Sequence, residues 1–192
     1  MLEEEYQPRR KRPTHPRPAT EPEPVFEYRL RDATEQDLPH VREIYNHYVL
    51  NSTVTFDESP MTLAQLRRKY AKIREKKMPF IIAESPSGQV LGYAYVYPWK
   101  EKAAYRFTVE NSIYLGPAST GKGLGRVLLG ELIEQSKAAG LKEMVAVIAD
   151  RGADASIAIH RDFGFKEIGH MGKVGFKVDR WLGTVLMQKS LK

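Results

Sequence analysis

An arginine and a glutamate stand four residues apart in residues 105 to 110, which read YRFTVE. Side chains two residues apart share one face of a regular strand, so we expect Arg106, Thr108 and Glu110 to project together. A carboxylate can exchange a proton and a guanidinium can hold an acidic group, so the two together would make a usable site. A plain salt bridge would have the same spacing, so the residues alone leave both interpretations open.

A glycine-rich loop over residues 116 to 123, GPASTGKG, has the residues of a phosphate-binding site. It is not a nucleoside-triphosphate P-loop, because Gly123 stands where that motif requires the Ser or Thr that ligates magnesium. A helix is predicted directly after the loop, and the free amides at a helix N-terminus bind phosphate oxygens without a metal. Lys122 and Arg126 would add positive charge. A glycine-rich turn without a ligand is the alternative interpretation.

A single histidine, His160, lies four residues after Ser156 in a predicted short helix. Imidazole donates a proton near neutral pH, but a lone histidine in a helix is more often structural, and both roles stay open. The remaining histidines are interpreted as structural: His15, His40, His47 and His170. No group of residues has the spacing of metal ligands, so no metal is expected.

Strands and helices must position these residues. The hydrophobic pattern predicts the order β-α-α-β-β-β-α-β-α-β-β, an α+β fold with a mostly antiparallel central sheet flanked by helices. Thr34 is expected to cap the first helix, the second helix is expected to begin at Thr62, and the third near Gly123. One long strand is predicted over residues 103 to 115, which would place Arg106 and Glu110 on the same strand.

Length and composition limit what the chain can be. It has 192 residues, 42% of them hydrophobic, which suits one domain at residues 26 to 192 with one active site. The absence of Cys excludes thiolate metal sites and cysteine nucleophiles and fits a reducing compartment. There is no signal peptide and no continuous apolar run of about 18 residues, so we expect a cytoplasmic protein that does not enter membranes.

The net charge of +6 suggests nucleic-acid binding, so the location of the charges matters. Residues 1 to 25 contain RRKR, a similar number of glutamates and six prolines, which predicts a disordered, solvated tail. The positive excess lies in the folded part, where the basic side of the second helix is interpreted as solvated. No nucleic-acid-binding motif accompanies this charge, so no nucleic-acid partner is expected.

Over roughly residues 28 to 190 the sequence resembles the GNAT superfamily of acetyl-CoA-dependent N-acetyltransferases. The resemblance is carried by STGKGLGR, AYRFTVENSIYL, MVAVIADRGADASIAIHRDFGF and GFKVDRWLGTVLMQK, and it is strongest to the phosphinothricin and methionine sulfoximine N-acetyltransferases. It implies a GNAT-like sheet with a V-shaped split between two central parallel strands. It also implies acetyl-CoA as co-substrate, with the pantetheine arm in that split, and a homodimer.

The resemblance also suggests which residues form the site. The expected catalytic residues are Glu110, as general base, and His160, as proton donor or positioning residue. The expected cofactor-binding residues are Ile113, Tyr114, Leu115, Thr120, Gly121, Lys122, Gly123, Leu124, Gly125, Arg126 and Ser156. The expected substrate-binding residues are Phe56, Arg106 and Lys177. A backbone amide near Tyr114 or Leu115 would stabilise the carbonyl oxygen when the amine attacks.

Three positions depart from the family pattern. Thr120 stands where Gln or Arg is usual and Ala153 where Asn is frequent, so we expect weaker or rearranged cofactor binding and not its loss. Asp57 follows Phe56 where phosphinothricin enzymes carry an Arg, and an acid there should repel a second acidic group. The sequence therefore favours acetylation of a small amino acid-like amine. A protein or peptide N-acetyltransferase and a non-catalytic CoA-binding module are the alternatives.

Overall fold

The computed structural model describes residues 26 to 192, so the disordered tail expected at residues 1 to 25 lies outside the described part. The helices are α1 (Leu38–Asn51), α2 (Leu63–Glu75), α3 (Leu124–Ala138) and α4 (Asp154–Asp162). The strands are β1 (Arg29–Asp32), β2 (Phe80–Glu84), β3 (Val90–Pro98), β4 (Thr108–Leu115), β5 (Glu143–Ala149), β6 (Lys166–Lys177) and β7 (Arg180–Ser190). This order confirms the α+β succession predicted from the sequence.

The seven strands form one sheet in the order β1-β2-β3-β4-β5-β7-β6. All neighbours run antiparallel except β4 and β5. This parallel pair is short and joins Thr108 to Glu143, Val109 to Met144 and Glu110 to Val145. Beyond these residues β4 pairs only with β3, and β5 pairs only with β7. The two central strands therefore separate, which confirms the predicted V-shaped split.

Apolar stripes on the helices build the core against this sheet. The buried residues recur every three or four positions, as amphipathic helices require: Leu38, Val41 and Ile44 in α1, Leu66, Tyr70 and Ile73 in α2, and Leu124, Leu128 and Leu132 in α3. Helix α2 begins one residue after Thr62, which caps it: the Thr62 hydroxyl accepts a hydrogen bond from the Gln65 amide at 3.2 Å. Thr34 instead begins a 3-10 turn over Glu35–Asp37, and α1 follows it.

Helices cover both faces of the sheet. On one face, Tyr45 and Tyr48 of α1 contact the Tyr114 ring on β4, with centroids 5.2 and 5.5 Å apart. On the same face, Tyr70 of α2 contacts Phe80 of β2 at 5.7 Å. On the opposite face, α3 packs against β2, β3 and β4, and α4 packs against α3. The central strands are therefore buried from both sides.

Two further findings apply to residues 26 to 192. No helix there has the length and apolar character that a bilayer crossing needs. Nor do three or more His, Asp or Glu side chains of this range come together as a candidate metal site.

Candidate active site

Glu110 lies where the two parallel strands separate. It is the last β4 residue paired with β5, and on its other side it pairs with Tyr97 of β3. Burial raises the pKa of Glu110, and the positive charges of Lys69 and Lys100 offset part of that rise. No hydrogen bond from a described residue holds the carboxylate. A half-buried carboxylate with a raised pKa and no fixed partner is suited to accept a proton.

Arg106 does not share a strand face with Glu110, so the predicted long strand over residues 103 to 115 is wrong. Ala103–Tyr105 forms a 3-10 turn, Arg106 has the helical angles φ −56° and ψ −22°, and β4 begins two residues later. The guanidinium lies 4.6 Å from the centroid of the Phe107 ring and donates to the Ala103 carbonyl at 3.3 Å. The Arg106–Glu110 salt bridge that the spacing allowed is therefore not formed.

Lys177 does not meet the expectation that it binds a substrate carboxylate. Its side chain is buried, and the ammonium group donates to the backbone carbonyls of Val49 at 2.9 Å, Ser52 at 3.0 Å and Thr55 at 2.9 Å. An ammonium group has three N–H donors, so all of them are used. Lys177 therefore joins β6 to the end of α1 and the loop that follows it.

His160 is buried on α4, and protein groups contact both of its ring nitrogens. Nδ1 lies 2.8 Å from the Ser156 carbonyl oxygen, which can only accept, so Nδ1 carries the proton. Nε2 lies 2.9 Å from Nδ2 of Asn111 and accepts its hydrogen bond. Burial lowers the pKa of His160, although the Ser156 carbonyl acts in the opposite direction. A neutral ring whose Nε2 is an acceptor fits a positioning role better than that of a proton donor.

The glycine loop presents unused backbone donors in front of α3. Gly121 and Gly123 have φ of +73° and +79°, a conformation that L side chains rarely adopt, and a Cβ at either position would meet open space. The amides of residues 120 to 123 make no backbone hydrogen bond with the described chain. The Thr120 hydroxyl donates to the Pro117 carbonyl at 3.0 Å and so stabilises the loop itself. This cradle has the geometry of an anion site.

The charged side chains around the loop already have partners. The Lys122 ammonium lies 4.6 Å from the centroid of the Phe26 ring, and Arg126 forms an ion pair with Asp162 of α4. Ala153 is the N-cap residue of α4, and no side chain caps that helix. The anion site therefore depends on backbone amides more than on free positive charges.

The edge of β4 beyond Glu110 is open on the side that β5 leaves. Ile113, Tyr114 and Leu115 all pair with β3 and with no other strand. The Tyr114 ring packs into an aromatic cluster, with its centroid 5.6 Å from that of Tyr93, and the Leu115 carbonyl accepts a hydrogen bond from the Tyr48 hydroxyl at 2.8 Å. These residues therefore offer a ligand backbone groups more than side chains.

A cavity of about 430 Å³ lies between α2 and the loop that follows α1. Its lining residues are Asp57, Glu58, Ser59, Pro60, Met61, Gln65 and Lys69. The Tyr45 hydroxyl donates to Asp57 at 2.5 Å and holds that carboxylate in place. The neighbouring Phe56 packs on β6, where a Cβ at Gly175 would lie 2.5 Å from its ring. Asp57 thus lies in the cavity wall, whereas Phe56 contacts the sheet.

Sequence reasoning missed three residues near Glu110. Lys69 was grouped with the solvated basic side of α2, although its position three residues after buried Leu66 places it at the border of the apolar stripe. Tyr97, one of several aromatic residues that could form the wall of a substrate pocket, could not be singled out before the β3–β4 pairing placed it opposite Glu110. Asn111 carried no signal beyond its place next to Glu110, because its partner His160 lies 49 residues away.

Comparison with known proteins agrees with this geometry. A family described as Acetyltransferase (GNAT) domain matches residues 30–186. An L-methionine sulfoximine/L-methionine sulfone acetyltransferase of Pseudomonas paraeruginosa is 41% identical over 162 residues, which cover 84% of this chain and 94% of the relative. A phosphinothricin N-acetyltransferase of Alcaligenes faecalis is 38% identical over 162 residues, covering 84% of this chain and 82% of the relative.

A solved structure resembles the chain over a similar range. It is the crystal structure of a GNAT superfamily phosphinothricin acetyltransferase from Sinorhizobium meliloti in complex with acetyl-CoA. The two chains are 43% identical and superpose with a TM-score of 0.81, covering 85% of this chain and 88% of the other.

Proposed function

The chain belongs to the GNAT acetyltransferase family, and from this premise we propose that it transfers an acetyl group from acetyl-CoA directly to the amine of a small amino acid-like substrate. The observation that carries the proposal is Glu110, a half-buried carboxylate with a raised pKa at the point where the parallel strands separate. Its position joins the two parts of the site, the open β4 edge and the α2 face of the sheet.

The residues of this chain fit acetyl-CoA. The unused amides of residues 120 to 123 and the N-terminus of α3 suit the diphosphate, and the open edge at Ile113, Tyr114 and Leu115 suits the extended pantetheine arm. Leu124, Gly125, Arg126 and Ser156 complete the proposed cofactor site. Acetyl-CoA supplies the activated acetyl group as a thioester. A relative's structure contains acetyl-CoA, which supports the assignment.

Glu110 acts as the general base in this proposal. The substrate amine arrives as an ammonium ion and cannot attack until it loses a proton, directly or through a water molecule. The raised pKa of Glu110 brings the carboxylate closer to the pH at which it must work. The chain contains no Cys, and direct transfer requires no acetylated enzyme residue.

His160 positions the site in this proposal. Its bond to Asn111 fixes β4 against α4 at the residue after Glu110, and so holds the strand that carries the base. The ring has no proton on Nε2 to give to a leaving group while Asn111 donates to it.

The proposed substrate is an α-amino acid analogue with an uncharged side chain, of the methionine sulfoximine type. Relatives named for methionine sulfoximine and for phosphinothricin support this substrate class. The carboxylate of Asp57 lies in the wall of the cavity beside α2, where it would repel a second acidic group on the substrate. Phosphinothricin, which carries a phosphinate, should therefore be the poorer substrate.

We also propose that the protein is a homodimer through the β6–β7 ribbon. Strand β6 is at the edge of the sheet, and large apolar side chains are exposed along the ribbon: Ile168, Met171, Val174, Phe176, Val178 and Trp181. Exposed apolar surface of this extent on an edge strand favours association with a second copy. Sedimentation should show a dimer, and the double change of Phe176 and Trp181 to Glu should yield monomers. A wild-type monomer would refute this assembly.

The experiment that tests the function measures CoA release with a panel of amines. The panel contains free amino acids, L-methionine sulfoximine, phosphinothricin, polyamines and peptides. We expect the highest kcat/KM for an amino acid or sulfoximine. Peptides as the best substrates would indicate a protein N-acetyltransferase. Binding of acetyl-CoA without turnover of any amine would indicate a non-catalytic CoA-binding module.

A further inference from the structure

Lys69 of α2 places a positive charge on the sheet face that bears Glu110. Its ammonium group donates to the Tyr95 hydroxyl at 3.2 Å and lies 5.4 and 5.8 Å from the ring centroids of Tyr95 and Tyr97. Among residues 26 to 192 the Tyr95 hydroxyl is its one hydrogen-bond partner, so two of its three N–H donors are unused. The two tyrosines therefore hold the ammonium group in place without neutralising its charge.

The positions of Lys69 and Glu110 are linked through Tyr97. Tyr97 and Glu110 are directly paired across β3 and β4, so their side chains lie side by side on the same face. Lys69 lies over the Tyr97 ring, and of the positive charges that act on Glu110 its effect is the largest. The two groups nevertheless form no ion pair. A small molecule that carries both a negative and a positive group could pair with both residues.

Lys69 also lines the cavity between α2 and the loop after α1 and is the only cationic residue of that lining. The Asp57 carboxylate in the same lining accepts a hydrogen bond from the Tyr45 hydroxyl, so it does not compensate Lys69 by a direct contact. Lys69 is thus the one charge-assisted partner that this lining offers to an anion, and the carboxylates of Asp57 and Glu58 in the same lining disfavour a second negative charge.

Three other cations, Lys177, Arg106 and Lys72, are occupied or placed elsewhere, and the smaller effect on Glu110 comes from Lys100, whose ammonium group lies 4.7 Å from the Trp99 ring. Lys177 has used all three donors on backbone carbonyls. Arg106 lies over the Phe107 ring at the end of a 3-10 turn. Lys72, one turn after Lys69 on α2, lies 5.2 Å from the Tyr97 ring centroid but pairs with Glu101 at 3.9 Å.

We propose that Lys69 binds the α-carboxylate of the substrate and thereby places the α-amine at Glu110. This inference rests on the proposed function and replaces Arg106 and Lys177 as carboxylate ligands. The carboxylate takes the unused N–H donors of Lys69, and the ammonium group faces Glu110, to which it gives its proton. Tyr95 is a positioning residue that holds the lysine for this contact.

The experiment compares L-methionine sulfoximine with its carboxamide, which keeps the amine and loses the negative charge. A hydrogen bond to a charged group predicts that wild-type kcat/KM favours the acid by roughly ten- to hundredfold. Lys69→Met should bring this ratio near one, mainly through a higher KM for the acid, with the KM for acetyl-CoA unchanged. Lys69→Arg, which keeps the charge, should retain most of the preference and so separates loss of charge from misfolding.

Lys72→Met is the matched control, because it removes the same charge from the same helix and the same tyrosine ring; it should keep the acid preference. A second readout is the pH profile with the carboxamide, whose acidic limb should move to higher pH in Lys69→Met, since a cation that lowers the pKa of Glu110 has been removed.

The outcomes separate this inference from the proposed function. A wild-type enzyme that acetylates acid and carboxamide equally well keeps the small-amine function and refutes the role of Lys69. If Arg106→Ala loses the preference for the acid and Lys69→Met keeps it, the role of Lys69 is also refuted. Arg106 would then be the residue that binds the carboxylate. If Lys72→Met lost the preference for the acid to the same extent as Lys69→Met, the preference would come from the overall positive charge of α2 and not from a contact with Lys69. Acetylation of peptides alone would refute both proposals.

Discussion

The side chain of Asn111 lies 2.9 Å from Nε2 of His160, at the first β4 residue beyond the last pair with β5. Adjacent strand residues point to opposite faces, so this contact lies on the α4 side of the sheet while Glu110 points to the α2 side. A hydrogen bond between β4 and α4 thus holds the strand just where pairing between β4 and β5 ends. This contact makes the geometry of the split depend on a neutral histidine.

The pH dependence of stability should reveal this buried histidine. The pKa of His160 is lowered by burial from an ordinary value of 6.5, so the unfolded chain binds its proton at higher pH than the folded chain. Stability should therefore be complete above about pH 6.5 and fall as the pH drops toward the folded pKa. Chemical denaturation of His160→Gln should show a weaker dependence over this range.

The exposed His47 provides the control, and His47→Gln should leave the pH dependence of stability unchanged. If the free energy of unfolding of His160→Gln depended on pH as steeply as that of the wild type, the result would contradict a buried, neutral His160 ring. Turnover of His160→Gln decides its role. A lost general acid would lower kcat by roughly two to four orders of magnitude, whereas a positioning residue should have a smaller effect.

Gly123→Val should weaken acetyl-CoA binding. The φ of Gly123 is +79°, and a β-branched residue there costs about 1–2 kcal/mol of backbone strain and places a side chain in front of the loop amides. Calorimetry should show a higher Kd for acetyl-CoA, with no dependence on magnesium. Gly88→Val is matched, because Gly88 has φ +85°, also faces open space and lies in the β2–β3 turn.

Gly88→Val should lose comparable stability and keep its affinity for acetyl-CoA. If both variants bound acetyl-CoA as the wild type does, the glycine loop would not be the diphosphate site. Binding of ATP with magnesium in place of acetyl-CoA would reject the assignment outright.

Lys177→Met should destabilise the fold without changing substrate preference. The substitution leaves the carbonyls of Val49, Ser52 and Thr55 without their donor, and one buried unsatisfied group costs about 1–3 kcal/mol. Denaturant unfolding should therefore show a loss of about 3 kcal/mol or more, summed over partly relaxed groups. Lys173→Met, an exposed lysine on the same strand, should change stability by less than about 0.5 kcal/mol. Unchanged stability in Lys177→Met would contradict the three-carbonyl contact.

The sequence predicted the order of the elements and the position of Glu110 because local patterns carry that information. Helix stripes such as Leu66, Tyr70 and Ile73 and the glycine loop before α3 are visible in short windows. The strand that contains Glu110 was predicted to begin too early, because residues 103 to 106 include no Pro or Gly that would mark the 3-10 turn.

The partners of the site residues depend on tertiary contacts that short windows do not contain. Lys177 meets carbonyls more than 120 residues away, and the nearest of these in sequence is Thr55 at a separation of 122. The family resemblance suggested Lys177 and Arg106 as substrate ligands, and the charge pattern of the second helix suggested that Lys69 is solvated. Only the packing of α2 on β3 shows that Lys69 lies over Tyr97, the residue paired with Glu110.

The dependence of kcat/KM on pH should reflect the environment of Glu110. A base is inactive when protonated, so activity should fall as the pH drops through its pKa. Burial raises that pKa above the ordinary value of 4.5, and the acidic limb of the profile should therefore lie above pH 4.5. An acidic limb at or below pH 4.5 would contradict a half-buried, unpaired carboxylate as the base.

The most direct test of the account is the single-turnover rate of Glu110→Gln with its best amine, measured together with the Kd for acetyl-CoA. The amide keeps the shape of the side chain and removes its basicity, so the rate should fall by roughly two to four orders of magnitude while the Kd stays the same. Glu101→Gln, which changes an exposed acid in the turn before β4, should leave both quantities unchanged. A Glu110→Gln enzyme as fast as the wild type would contradict the central claim that Glu110 is the base.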